Sequence, residues 1–387
     1  MAENKEKKVL NVPNLRFPEF EGEWEEHYLS DYLDFKNGLN PKPERFGKGI
    51  KFISVMDILN NAVITNDCIR ASVDVSEEEL LSFCVENGDI LFQRSSETLE
   101  DVGRANVYMD NKPAVFGGFV IRGKKKAEYD PLFFRYLLAS PFARKKIIPM
   151  GAGAQHFNIG QEGLNKVKLH FALLDEQKKI ARLLSLLDER ISTQNKIIED
   201  LKKLKSAISD RLFKNIKGDV ITLSEICDIV KGKQINGEYL TESGEYYVMN
   251  GGTEPSGYYG DYNVDANTIS ISEGGNSCGY VQFNTSPFWS GGHCYSIQNI
   301  ADHVDNLYLY HYLKSNEEVI MRLRIGSGLP NIQKKDLTMF KIEIPTIKQQ
   351  KTISTFLSSL ERKAEIEERI QNAMLKEKQF LLRQMFI

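Results

Sequence analysis

The chain has 387 residues, 41% of them hydrophobic and 27% charged, which suits two or three globular domains and excludes wholesale disorder. Its longest mostly apolar stretch, Pro131 to Ala143, is interrupted by Arg135 and is shorter than the ~20 residues of a membrane span; the opening MAENKEKK has no apolar leader core. Five cysteines without a C-x-x-C pair and six unclustered histidines exclude a disulfide framework and a structural zinc, so a cytoplasmic protein is expected.

In chain order, the first predicted strands are Lys51–Val55, Gly88–Phe92 and Ala114–Ile121, bounded by punctuation such as Asn87-Gly88. Asp130–Lys145 reads as a helix, and Asp175 to Phe213 as a much longer one. Strands follow at Tyr246–Met249, Thr268–Ser272 and His293–Ile297, then a helix over Asp305–Arg322 and a second long helix from Lys348 to Phe386. Charge alternates with these blocks. The net values are −2 for residues 1–174, +4 for 175–217, −8 for 218–345 and +3 for 346–387.

That alternation reflects a repeat. At a constant offset of 173, Gln177 matches Gln350, Ile180 matches Ile353, and Leu184 matches Leu357; Lys205 and Phe213 match Lys378 and Phe386. Upstream, DPLFFRYLLAS at Asp130 corresponds to DNLYLYHYLKS at Asp305, and YLSDYLDFKNG at Tyr28 to TLSEICDIVKG at Thr222. In the first long helix, positions 180, 184, 187, 191, 194, 198, 201, 205, 208 and 212 step by four and three, the spacing of a coiled-coil seam. Equivalent halves predict an antiparallel helix pair about a pseudo-two-fold axis, and 39 helical residues span ~58 Å. The fold class expected is α/β (α+β): two mixed, strand-rich domains (1–174 and 218–345) separated by two long spacer helices (175–217 and 346–387).

An enzyme reading finds little support. No phosphate-binding glycine loop or dinucleotide fingerprint occurs. Ser286-Pro287-Phe288-Trp289 lacks the second proline of the adenine-methyltransferase motif, and no catalytic constellation stands out. A two-site binding module fits better, because successive major-groove faces of DNA recur every ~34 Å. The diverged middles carry base-reading residue types: Gln93, Arg94, Ser95, Ser96, Arg104 and Asn106 in one half, Asn250, Asn276, Ser277 and Gln282 in the other. Arg122, Lys124 and Lys125, together with Arg322 and Arg324, are candidates for phosphate contact. The two alternatives are a protein-binding tether and a divergent adenine methyltransferase.

The opening VPNLRFPEFEGEWEEHYLSD, the GDILFQRS segment and the helices DEQKKIARLLSLLDERI and KQQKTISTFLSSLERKA resemble the specificity subunit of bacterial type I restriction–modification systems over essentially the whole chain. The resemblance implies two target-recognition domains, each reading half of a split, asymmetric site in double-stranded DNA, with the helices fixing the spacer. It also implies no catalysis and no cofactor on this chain. Two methyltransferase subunits with S-adenosylmethionine, and restriction/translocase subunits using ATP and Mg²⁺, are the expected partners, and no membrane is expected. Shared helix positions, namely Gln177, Ile180, Leu184, Gln350, Ile353 and Leu357, are the candidate docking residues. Lys348-Gln349 stands where the first copy has Asp175-Glu176, so the second docking surface is expected to differ. The acidic second domain predicts weak DNA binding by the chain alone.

Overall fold

The computed structural model describes residues 10–326, 328 and 330–387; the opening MAENKEKK, on which the expectation of no leader rests, lies outside the described residues. Two compact units result. One holds the residues up to Gln194 together with Ile370–Ile387, the other Asn195–Arg369.

Both units are built on the same plan. In the first, a four-stranded antiparallel sheet has the order Leu33–Asn37, Val120–Lys125, Ile90–Gln93, Ala105–Val107. In the second, the order is Asp228–Lys231, Cys294–Gln298, Thr268–Ser272, Val281–Asn284. Beside each lies a three-stranded sheet containing one parallel pair. These pairs are Phe46–Ile53 with Ala114–Phe116, and Tyr246–Met249 with Trp289–Ser290. A further antiparallel pair closes each domain: Glu25–Tyr28 with Lys168–Phe171, and Asp219–Thr222 with Lys341–Ile344. The recurrence of strand order in segments with little shared sequence supports the mixed α/β fold class and the duplication.

Three predicted elements differ in detail. Ala114–Ile121 is two strands with a turn at Gly117–Phe119, because the chain leaves one sheet there and enters the other. Asp130–Lys145 is two helices, Pro131–Ala139 and Pro141–Ile147. Pro141 cannot donate to the preceding turn, and the Ser140 hydroxyl accepts from Ala143 N–H (3.2 Å) as a new cap. Asp305–Arg322 likewise divides, at Asn316.

The long helices run Leu174–Asn215 and Ile347–Gln384. Within the second unit they are antiparallel: Lys202 pairs with Glu368 and Lys205 with Glu361, each at 2.6 Å. They are not segments apart from the domains. In the first unit, Ile180, Leu184, Leu187 and Ile191 join the core from one helix, Met374 and Leu381 join it from the other, and Phe386 joins it from just past that helix's end. Phe386 packs on Phe133 (ring centroids 5.5 Å), and its repeat partner Phe213 packs on Tyr308 (5.8 Å) in the second unit. Burying such side chains is worth about 1.5–3 kcal/mol each, so each helix end is part of a domain core. No described helix is long and apolar enough to cross a membrane.

Candidate nucleic-acid interface

In each unit backbone hydrogen bonds hold three neighbouring loops together, and one of them (Gly117–Phe119 in the first unit, Gly291–His293 in the second) is where the chain passes from the three-stranded to the four-stranded sheet. In the first unit Arg94 N–H donates to Phe119 C=O, and Ile159 N–H donates to Arg94 C=O, both at 2.9 Å. In the second, Glu273 N–H donates to His293 C=O (2.9 Å) and Ile332 N–H donates to Glu273 C=O (2.8 Å). Arg94 and Glu273 are therefore structural equivalents, as are Phe119 and His293. Close backbone passage requires glycine here. A Cβ on Gly38 would lie 2.0 Å from the Gly117 carbonyl oxygen, and one on Gly232 would lie 2.2 Å from that of Gly291.

The first unit's loops border a cleft of about 880 Å³. Its walls include Phe46, Met56 and Phe119, all exposed large apolar side chains, with Gln93, Ser95 and Ser96 along the strand end. Gln93 is only 5% exposed. Its Nε2 donates to Ser95 C=O (2.9 Å) and its buried Oε1 has no partner. Arg94 is half-buried and donates to Gly118 C=O (3.2 Å), while Ser95 bonds Asn158 across a two-residue strand pair.

The second unit presents different chemistry on the same frame. Glu273 is 9% exposed; its Oε1 accepts from Lys231 Nζ (2.6 Å) and Tyr295 OH (3.1 Å). Its Oε2 is buried, has no hydrogen bond and lies 3.8 Å from His293 Nδ1. Asn250 Oδ1 accepts from His293 N–H (3.1 Å), tying another loop to the group, and Gly275 N–H reaches Pro330 C=O (3.0 Å). Asn276 is exposed and Ser277 half-buried on that turn. Exposed Arg322 and Arg324 precede Ile325, which bridges to Asn331.

Several expected contacts are corrected. Arg122 is 7% exposed, donates to Cys84 C=O and lies over the Phe116 ring, so it serves the interior. Lys124 pairs with Glu86 (2.7 Å), and Lys125 Nζ donates to Tyr129 C=O (3.2 Å). Both stand at the end of their strand remote from Phe119. Asn106 is buried, donating to Ile58 and Asn61 carbonyls. Arg104 is exposed and pairs with Asp101 (2.6 Å) beside the cleft.

The docking set is corrected as well. Gln177 and Gln350 are 3% and 0% exposed. Gln177 Oε1 accepts from Asp130 N–H (3.0 Å) and its Nε2 donates to Ala172 C=O (2.8 Å). Gln350 does the same with Asp305 (2.8 Å) and Pro345 (2.8 Å). Ile180, Leu184 and Leu357 are buried and Ile353 is half-buried against the core. These side chains match between copies because each fastens its helix to its domain. Sequence reasoning missed Phe119, His293 and Glu273. The signal was present as two glycine pairs, Gly117-Gly118 and Gly291-Gly292, each followed by a large ring.

Comparison with known proteins agrees with this architecture. The chain is 24% identical over 413 residues to the putative type I restriction enzyme MjaX specificity subunit of Methanocaldococcus jannaschii, covering 97% of this chain and 95% of that one. It is 33% identical over 163 residues to the putative type I specificity subunit S.MgeORF438P of Mycoplasma genitalium, covering 40% and 42%. In fold it is similar to the crystal structure of the type I restriction-modification system S subunit from M. genitalium, with a TM-score of 0.67, 19% identity and coverage of 97% and 99%. The model of the type I restriction modification DNA specificity domain matches residues 21–203 and again 215–376. With both halves matched and both carrying one loop frame with different side chains, the chain belongs to the type I restriction–modification DNA specificity family.

Proposed function

We propose that this chain reads a bipartite, asymmetric sequence in double-stranded DNA, one half-site per domain, and performs no catalysis itself. One observation carries the reading: the same loop frame presents Gln93, Arg94 and Phe119 in one domain and Ser272, Glu273 and His293 in the other. A frame kept while its side chains change is suited to reading different bases, since sequence is read from base edges by side-chain identity.

In this reading two methyltransferase subunits carry S-adenosylmethionine and methylate adenine N6. Restriction/translocase subunits carry the ATP and Mg²⁺ chemistry, this chain carries no cofactor, and the complex works in the cytoplasm. The acidic character of residues 218–345 favours phosphate contact being supplied largely by the partners.

The test is to sequence methylated adenines in a host given this protein and its methyltransferase, then to exchange residues 218–345 for those of a relative. One split motif is expected, with one half altered by the exchange. A single unsplit motif, or alteration of both halves, would contradict the assignment of one half-site to each domain.

A further inference from the structure

Beside the proposed reading cleft of the first unit, and sharing Leu59 with it, lies a separate pocket of about 370 Å³ with a mixed polar and apolar lining. Three arginines line it: Arg104, Arg135 and Arg144, with Asn61, Asn106 and the acidic Glu100. We propose that this pocket is a phosphate-binding site, and that the phosphate it takes is one of the DNA backbone beside the first half-site.

The donors are incompletely used. Arg144 Nη2 donates to Glu100 C=O (2.8 Å) and Val102 C=O (2.6 Å), whereas its buried Nη1 has no partner. Arg104 is more than half exposed and turns one edge to Asp101. Arg135 Nε donates to Asn106 Oδ1 (3.2 Å) and its Nη1 faces Asp188 at 3.4 Å, a long contact. Burial disfavours the charged form of Arg144, the neighbouring Arg104 adds to this, and Asp101 opposes it. A buried guanidinium N–H without an acceptor is costly, and a tetrahedral oxyanion supplies acceptors in the geometry that arginine forks match.

The fold does not demand these charges. The N-caps Asp130 and Asp305 are equivalent, and counting from them places Tyr310 where Arg135 stands and Val319 where Arg144 stands. The second domain thus builds the same helices without arginine at these positions.

The site is tested on the full chain with inorganic phosphate, following the arginine Nε–Hε resonances by NMR. Those of Arg104 and Arg144 shift in the wild type, and Arg104→Gln weakens the response at least about threefold by removing one of the converging charges. Absence of any phosphate-dependent shift in the wild type overturns the site. Arg144→Lys keeps a charge but not the fork, and it weakens the response while the remaining spectrum reports an intact fold.

The source is tested on the chain assembled with its methyltransferase, by duplex binding at several salt concentrations. Arg104→Gln makes the log K against log [salt] slope shallower by about 0.9, the loss of one phosphate contact, without changing the preferred sequence. An unchanged slope with phosphate binding intact overturns the DNA-backbone source and leaves a free-phosphate site. Failure of the assembled wild type to bind any duplex would remove the proposed function instead, with the phosphate titration unaffected.

Discussion

Lys205 and Glu361 form an ion pair of 2.6 Å between the two long helices of the second unit, and Tyr310 OH donates to the same carboxylate at 3.0 Å. The positions 173 residues away rebuild the ion pair in the first unit, where Lys378 pairs with Asp188 at 2.5 Å; the tyrosine comes from one position beyond the counterpart of Tyr310, Tyr136 OH donating to Asp188 at 2.8 Å. A lysine in a seam that is apolar except at Gln194 and Lys205 is thereby explained. Its partner is an acid on the facing helix, which is itself fastened to the adjoining domain by a tyrosine.

Replacing Lys205 by Met is expected to destabilise the second unit by about 1–3 kcal/mol, because Glu361 is left partly buried without its cation. Adding Glu361→Gln should recover part of that loss. Urea denaturation of the two single variants and the double variant measures the coupling. Strict additivity would mean that the pair holds nothing together.

Gln177→Ala and Gln350→Ala should act on folding rather than on assembly. Gln177→Ala removes two hydrogen bonds and Gln350→Ala three, leaving the Asp130 or Asp305 N–H and the facing carbonyls without this partner, at a cost of about 2–3 kcal/mol. The checks are a denaturation midpoint and co-purification with the methyltransferase at a temperature where the variant stays folded. Loss of co-purification with an unchanged midpoint would restore these residues as docking groups.

His311 is buried, with Nε2 2.9 Å from Ser358 Oγ, and burial presses its imidazole down to about 4. A base whose folded value lies below its unfolded value of ~6.5 binds its proton more readily once unfolded. Its contribution is therefore fully present above about pH 6.5 and is lost as pH falls towards 4. Wild-type stability should drop across that window by of order 1–3 kcal/mol more than that of His311→Gln, as measured by thermal melts at stepped pH. Parallel curves for the two proteins would rule out His311 as the origin.

Gln93 and Glu273 each hold a buried acceptor oxygen without a donor at the proposed reading loops. An exocyclic amino group, adenine N6 or cytosine N4, is the base-edge group that supplies one. Gln93→Leu is expected to relax one position of the first half-site by about 1–3 kcal/mol, whereas Gln93→Glu keeps the acceptor and the preference. Methylation-motif sequencing distinguishes the two outcomes. An unaltered motif with Leu at 93 would show that this oxygen reads no base.

Much of this molecule was legible along the chain. The offset of 173, the 4-3 spacing of the seam and the paired N-terminal aspartates of the short helices are local or periodic signals. They follow from the 3.6-residue turn and from capping chemistry, so the duplicated α/β architecture and the two long helices could be read directly. Which polar residues face outward could not. Arg122, Asn106, Gln177 and Gln350 have the composition of a binding surface, yet each spends its donors on carbonyls brought to it from 5 to 48 positions away. Burial of a polar group depends on whether a partner arrives in three dimensions, and no periodicity records that. The proposed reading loops were hidden for the same reason. Glu273 and His293, or Arg94 and Phe119, become neighbours through strand pairing across the sheets, which the fold as a whole decides.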